Sequence, residues 1–353
     1  MDMSVILISE FISRQALETL KHVHQVRYEP ESYADPCKLA SELINADAWI
    51  VRNLTKVSAD LVQGAKQLKV VGRLGVGLEN IDLPACAQAN IKVIPATGAN
   101  ADSVAEYVLG TSMALMRAYA PASAETLSGA WPRPKFSKCH EIAGNTLGLV
   151  GFGSIGRVVA KKALALGLHC IAYDPMLNDK QVALQSGTVH LYPLAEVLAK
   201  SQIVSLHLPL LPETKRLFSA TLLDTMQAGA YLINTARGGI VDEYALAERL
   251  RSGRLGGVAL DVFASEPAKD LAHFKDVPNL ILTPHIAGVT EESNERVSNM
   301  IAREVNLFLE NHLCVIHLMR WCNWPIKAYV LLILPMMRPL IRHSFWRLQK
   351  RMV

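Results

Sequence analysis

The sequence predicts an α/β protein built from two doubly wound parallel sheets, the second inserted into the first. Three observations lead there. Short β-branched and aliphatic runs alternate with helical patterns from Val5 onward, which is the rhythm of a parallel sheet. A strand, glycine-turn, helix and strand unit starts afresh at Thr146. The chain has 353 residues, of which 50% are hydrophobic, enough for two separate cores.

The elements follow in order. VILI from Val5 to Ile8 reads as a buried first strand, followed by a helix near Ser13 to Lys21, the strand AWIVR, a helix near Ala59 to Ala65 and the strand and turn KVVGRLGVG. A strand at residues 91–96 leads through TGANADSVAEYVLGTSMALMR into a long helix whose start is marked by Asp102 or Ser103, with Glu106 in its first turn. That helix carries the chain toward a second domain, and SGAWPRPKFSKCHEIAGN after it reads as a loop. In the unit TLGLVGFGSIGRVVAKKALALGLHCIAYD, the helix presents Val159, Ala163 and Leu166 to the sheet and stops at Gly167. Strands at QIVSLHLP, GAYLINTA, GGVALDVF and NLILTPH complete the second sheet. A final helix near Glu291 to Glu310, with Thr290 as its cap and Val297, Met300, Ile301, Val305 and Phe308 on one face, returns to the first domain. The expected division is residues 1–103, 104–287, the return helix 288–312 and a tail, 313–353.

The unit at Thr146 carries the first chemistry. Gly151, Gly153 and Gly156 form a GxGxxG turn between a strand and a helix, with Asp174 arriving at the end of the next strand, close to the ~20 residues expected of a ribose ligand. Gly151 suits a tight turn, Gly153 lets a pyrophosphate approach the backbone, and Gly156 allows close helix packing. The N–H groups at the helix start then face the phosphates. This is a Rossmann dinucleotide site. A carboxylate at Asp174 accepts from a ribose diol and repels a 2′-phosphate, and Pro175, Met176 and Leu177 add no arginine, so NAD is expected rather than NADP.

Composition narrows the class. The net charge of +4 comes from the tail, whose seven Lys or Arg face no acids; without it 29 basic residues meet 32 acidic ones. A near-neutral body excludes nucleic-acid binding as the main activity. The six cysteines show no CxxC or Cys/His ligand spacing, so neither a disulfide framework nor a metal site is expected. No export signal is read at MDMSVILISEF, and a cytoplasmic location is expected. The tail differs from the rest of the chain. Its apolar run Ala328 to Met337 has ten residues with Pro335 inside, short of the ~20 a span requires. A misread carboxyl terminus explains the change in composition, with an interfacial basic segment as the alternative.

The motifs VGRLGVGLENID at 71–82, TGANADSVAEYVLG at 97–110, the glycine fingerprint, NTARGGIVDE at 234–243, ALDVFASEP at 259–267 and TPHIAG at 283–288 stand together in order. By these the chain resembles the D-isomer-specific 2-hydroxyacid dehydrogenases, in their phosphoglycerate and sulfolactate dehydrogenase-like branch, over about residues 3–312. The resemblance implies a Rossmann NAD-binding domain inserted in a flavodoxin-like substrate domain. It implies Arg237, Glu266 and His285 as the catalytic set. Reducing a keto acid needs a hydride at carbon, a proton at oxygen and a cation for the carboxylate. Arginine's planar fork suits the carboxylate. Histidine, which titrates near ~6.5 when unperturbed, suits the proton. A glutamate on the far ring nitrogen would hold its tautomer.

Carried over position by position, Gly75, Val76 and Gly77 would offer backbone N–H groups to the substrate carboxylate. Val76, Ser154, Ile155, Asp174, Leu208, Thr235, Ala236, Asp261, Ala287 and Gly288 fall where relatives contact NAD, with Asp261 toward the nicotinamide amide; Arg237 and His285 border the same site. His207 is read as structural. Arg52 and Arg73, at strand ends, suggest a three-carbon acid with an anionic far end, as in 3-phosphoglycerate or sulfolactate, although structural ion pairing would also account for them. A homodimer is implied, with the arm Trp131 to Glu141 as the exchanged segment. The other readings are an NAD-sensing corepressor or scaffold, which the intact catalytic set opposes, a hydroxypyruvate or glyoxylate reductase, and a hydrolase of the adenosylhomocysteine type, which the ARGG, DVF and PHxxG segments oppose.

Overall fold

The computed structural model describes residues 3–322. Five strands, β1 (Val5–Ile8), β2 (Gln25–Tyr28), β3 (Ala48–Val51), β4 (Val70–Arg73) and β5 (Lys92–Pro95), form an all-parallel sheet in the order β2-β1-β3-β4-β5. Eight more follow: β6 (Thr146–Val150), β7 (His169–Tyr173), β8 (Gln181–Leu184), β9 (Gly187–Leu191), β10 (Ile203–Leu206), β11 (Ala230–Asn234), β12 (Leu255–Leu260) and β13 (Leu280–Leu282). Their order is β13-β12-β11-β10-β6-β7-β9-β8, parallel except for the β8–β9 hairpin. In each sheet the order reverses beside its first strand, so a crevice opens at the carboxyl ends of the strands.

Burial explains why these runs are strands. Every residue of β3 and of β10 is buried, as expected where helices cover both faces of a parallel sheet. Successive side chains alternate between two cores. Ile6, Ile8, Ile50 and Val70 face the return helix, while Leu7, Trp49, Val51 and Val71 face Leu39, Leu43 and Val62. The return helix, Glu291–Cys322, buries Val297, Ile301 and Val305 on the first sheet, each worth roughly 1.5–3 kcal/mol. It sits close because β4 offers Gly72 there, where a Cβ would lie 2.7 Å from the Ile301 side chain. Thr290 caps it, its hydroxyl accepting from Ser293 N–H at 3.1 Å.

Several local expectations are corrected. The helix Ala101–Met116 begins before Asp102, and neither Asp102 nor Ser103 caps it: Asp102 pairs with Lys162 at 3.2 Å and Ser103 shares a hydrogen bond with Thr290 at 3.1 Å. Both partners come from distant segments, so no local pattern reveals them. Leu166 follows the end of the helix Ser154–Ala165 and is 42% exposed, while Val159 and Ala163 are buried as expected. The segment read as a loop contains the short helix Arg133–Phe136, and Tyr119–Leu127 before it is also helical. The tail readings for 323–353 lie outside the described residues, as do all side chains from 313 onward. Among the described residues no helix is long and apolar enough to cross a membrane.

Candidate active site

Within each sheet the parallel strands end at one edge, and five loops leaving these two edges carry the candidate residues. Arg237 follows β11, Glu266 follows β12 and His285 follows β13; Arg52 follows β3, and Arg73 ends β4 just before Gly75-Val76-Gly77.

Glu266 and His285 meet. Glu266 Oε2 lies 2.6 Å from His285 Nδ1, while its other oxygen accepts from Phe263 N–H at 3.0 Å. A carboxylate only accepts, so Nδ1 carries the hydrogen in this pair and Nε2 is left to face a ligand. The imidazole is about half exposed. It stands on a left-handed residue, φ 58°, a conformation that costs an L-residue roughly 1–2 kcal/mol.

Asp261 holds that conformation. Its carboxylate, 1% exposed, accepts from Thr283 Oγ1 at 2.6 Å and from the N–H groups of Ile286 and Ala287 at 2.8 Å each. Thr283 in turn shares a 2.5 Å hydrogen bond with Tyr107. The carboxylate placed by resemblance toward the nicotinamide amide is thus turned inward, onto the loop that carries His285. Tyr107 and Thr283 were not anticipated, because their link spans 176 positions. Replacing Asp261 by Asn is expected to lower turnover by about tenfold or more while NADH binding changes little, since an amide donor would face backbone N–H groups. Turnover and NADH titration check this; unchanged turnover would count against it.

The turn that presents Arg237 is tied by Asn234, whose amide oxygen accepts from Ala236 N–H and whose amide nitrogen donates to the Arg237 carbonyl, both at 3.0 Å. This is an Asx-type turn, signalled only by an Asn at a strand end. Arg237 donates from Nη1 to the Ala236 carbonyl at 2.7 Å and from Nε to Glu79 at 2.5 Å.

Arg52 and Arg237 both lie near enough to Arg73 for their charges to act on it. Arg73 is 8% exposed, its Nη1 donates to the Leu74 carbonyl at 2.8 Å, and its Nε has no partner among the described residues. Burial pushes its pKa down to about 10, with Arg52 and Arg237 lowering it further and Glu10 and Glu79 opposing. Burial likewise lowers Arg52, whose Nη2 donates to Asn294 at 2.8 Å. Neither arginine has a carboxylate in ion-pairing range among the described residues, so the ion-pair account of them fails. Glu10, buried nearby, spends its oxygens on the N–H groups of Arg52, Leu54 and Thr55.

The glycine turn fits a dinucleotide. Gly151 has φ 97° and its absent side chain is where the His207 carbonyl lies; a Cβ on Gly156 would sit 2.5 Å from the Gly151 carbonyl. Gly153 faces open space, with nothing within 4 Å of a Cβ, at the start of the helix Ser154–Ala165. Asp174 lies beside this turn, accepting from Phe152 N–H at 2.8 Å and Met176 N–H at 2.9 Å. Thr235 Oγ1 and Asn100 Oδ1 are buried without partners among the described residues, which suits polar groups awaiting a ligand. Asn100, packed against Gly288, was missed from sequence. Ser154 is exposed, Ile155 partly buried, and Leu208, Ala236 and Ala287 are buried around the site. His207 shares a 3.0 Å hydrogen bond with Ser205, and burial lowers its pKa to about 4, so the ring is uncharged near neutrality.

The chain matches known proteins. The family model described as D-isomer specific 2-hydroxyacid dehydrogenase, NAD binding domain, matches residues 109–287. The chain is 46% identical over 296 residues to an (S)-sulfolactate dehydrogenase of Chromohalobacter salexigens, covering 84% of this chain and 95% of that protein. It is 38% identical over 309 residues to a D-3-phosphoglycerate dehydrogenase of Mycobacterium leprae, covering 88% of this chain but only 57% of that protein. The TT0316 protein from Thermus thermophilus has a similar structure, with a TM-score of 0.77 and 32% identity, over 87% of this chain and 97% of that one.

Proposed function

Because the chain belongs to the D-isomer specific 2-hydroxyacid dehydrogenases and is an NAD-dependent oxidoreductase, we propose that it interconverts a three-carbon 2-hydroxyacid bearing an anionic group on C3 and the matching keto acid. Sulfolactate is the first choice and 3-phosphoglycerate the second. The observation that carries this reading is that half-buried Arg52 and buried Arg73 stand near Arg237 and form no ion pair among the described residues. A desolvated cation without a counter-ion is costly, and an anionic substrate end relieves it. The sulfolactate relative is matched over nearly its whole length, whereas the phosphoglycerate relatives extend well beyond the match.

In this mechanism Arg237 and the N–H groups of Val76 and Gly77 hold the C1 carboxylate, the Gly75 N–H being taken by the Arg73 carbonyl at 2.7 Å, and Arg52 and Arg73 hold the C3 anion. The glycine turn would hold the nicotinamide cofactor, which when bound would supply a hydride to C2 in its reduced form and accept one in its oxidised form. His285 Nε2 gives its proton to the carbonyl oxygen during reduction and takes it back during oxidation. Glu266 keeps the other ring nitrogen protonated and the ring aimed. Arg237 draws charge from the carbonyl as it becomes an alkoxide.

The test is NADH oxidation with sulfopyruvate, phosphohydroxypyruvate, hydroxypyruvate and glyoxylate. The anionic-ended acids are expected to exceed the others in kcat/KM by about 10²-fold, as two charge-assisted contacts imply, and Arg73→Gln should erase most of the difference. Equal rates across all four would sink the assignment. For the cofactor, Asp174→Ala should shift the NADP-to-NAD preference toward NADP by about tenfold or more, read as the ratio of kcat/KM values; an unchanged ratio would remove Asp174 from cofactor choice.

A second copy of the chain is the proposed partner. The helix Tyr119–Leu127 buries none of its side chains, and Leu127 and Trp131 are 90% and 80% exposed. Exposed apolar groups of this size mark contact surfaces.

A further inference from the structure

The loop VGRLGVGLENID holds an acid, Glu79, that no step above uses. Its carboxylate accepts from Arg237 Nε at 2.5 Å, although the two residues are 158 positions apart. Among the described residues this is the one ion pair that joins a loop of the first sheet to a loop of the second. Glu79 extends from the same turn whose Val76 and Gly77 are assigned above to the substrate carboxylate. Burial alone would raise its carboxyl, but the hydrogen bond and charge of Arg237 outweigh that and hold it below the usual carboxylate range.

The guanidinium has five hydrogens. One on Nε goes to Glu79 and one on Nη1 to the Ala236 carbonyl at 2.7 Å, while Nη2 has no hydrogen-bond partner among the described residues. Nη2 lies against Gly77, where a Cβ would collide with it and with Glu79 Oε2 at once, so the arrangement requires glycine there. The acid therefore occupies the inner donor of Arg237 and leaves an outer donor beside the substrate loop.

We propose that Glu79 is a positioning residue: from the loop after β4 it fixes Arg237 by Nε, so that the outer guanidinium edge and the Val76 and Gly77 N–H groups form one clamp for the substrate carboxylate. This rests on the reading that Arg237 binds that carboxylate. The clamp has one half on each sheet, and Glu79 registers the two halves before substrate arrives. Misplacement of a clamp by about 1 Å is enough to cost orders of magnitude in rate, so the registration matters even for an exposed pair. A competing view would make Glu79 a counter-ion that substrate must displace. The two views differ in sign.

Steady-state kinetics on Glu79→Ala, Glu79→Gln, Arg237→Ala and the Glu79→Ala/Arg237→Ala double variant decide between them, with the NADH Kd and Tm measured for each. Expected for Glu79→Ala is a KM for the keto acid raised about tenfold or more, with NADH Kd and Tm unchanged. Glu79→Gln keeps an oxygen for Nε and should stay within about threefold of the parent KM. In the Arg237→Ala background, Glu79→Ala should add nothing. An unchanged KM in Glu79→Ala, a lower KM in both Glu79 variants, or full additivity in the double variant would overturn the proposal. A parent-like KM in Arg237→Ala would instead overturn the reading of Arg237 itself, and that single variant separates the two failures.

Discussion

Replacement of His285 by Asn is expected to cut kcat for keto-acid reduction by about 10²–10⁴-fold, the usual range for loss of a general acid, while the Kd for NADH stays within about threefold. Asn is the informative choice because His285 has φ 58°, a region Asn tolerates better than Ala. The loop does not depend on the imidazole: Asp261 holds the Ile286 and Ala287 N–H groups at 2.8 Å whatever side chain stands at 285. Tm should therefore stay near that of the parent. Glu266→Gln should do less, about 10–10²-fold, since an amide oxygen can still accept from Nδ1 but carries no charge. Single-turnover reduction checks both, and a near-parental rate in His285→Asn would return that residue to a structural role.

The second large effect concerns packing. Gly238, next to Arg237, lies so close to the loop after β12 that a Cβ would fall within the Phe263 carbonyl and 2.7 Å from the Ala264 nitrogen. These are backbone atoms, so no rotamer change relieves the clash. One loop carries Arg237 and the other leads to Glu266, and Gly238→Ala must push them apart. We expect a loss of about 3 kcal/mol or more, seen as a Tm lower by roughly 5–10 °C, together with a fall in kcat/KM exceeding about 10²-fold. Gly110→Ala is the control. That exposed helical position has nothing within 4 Å of a Cβ, and alanine there should stabilise by about 0.5–1 kcal/mol. Equal Tm values for the two variants would show that the loops are not in contact.

How far the site was legible depended on how local each signal was. The glycine turn could be read because Gly151, Gly153 and Gly156 act within one strand-to-helix junction, and the structure gives each a matching environment. Glu266 and His285 came from their motifs, and their 2.6 Å contact follows from neighbouring parallel strands ending side by side. The β8–β9 hairpin was missed because its strands sit at the sheet edge and are only partly buried, so they lack the apolar run that marked the others. Leu166 misled because it continues the apolar spacing one residue past the end of its helix, where the chain has already turned away.

What the sequence by itself determined is most of the order of strands and helices and the dinucleotide turn, which rest on spacing within a few tens of residues; the arginine, glutamate and histidine came from the resemblance of their motifs to the family. Tertiary structure alone decided which groups these residues touch. Asp261 serves the His285 loop, Gly238 gives room to a neighbouring loop, Arg52 and Arg73 donate to Asn294 and the Leu74 carbonyl rather than to a carboxylate, and Glu79 holds Arg237 from the opposite sheet. The reason is geometric. Periodicity along a chain specifies which face a side chain presents, but a partner brought in by sheet order and domain apposition leaves no trace in the local pattern.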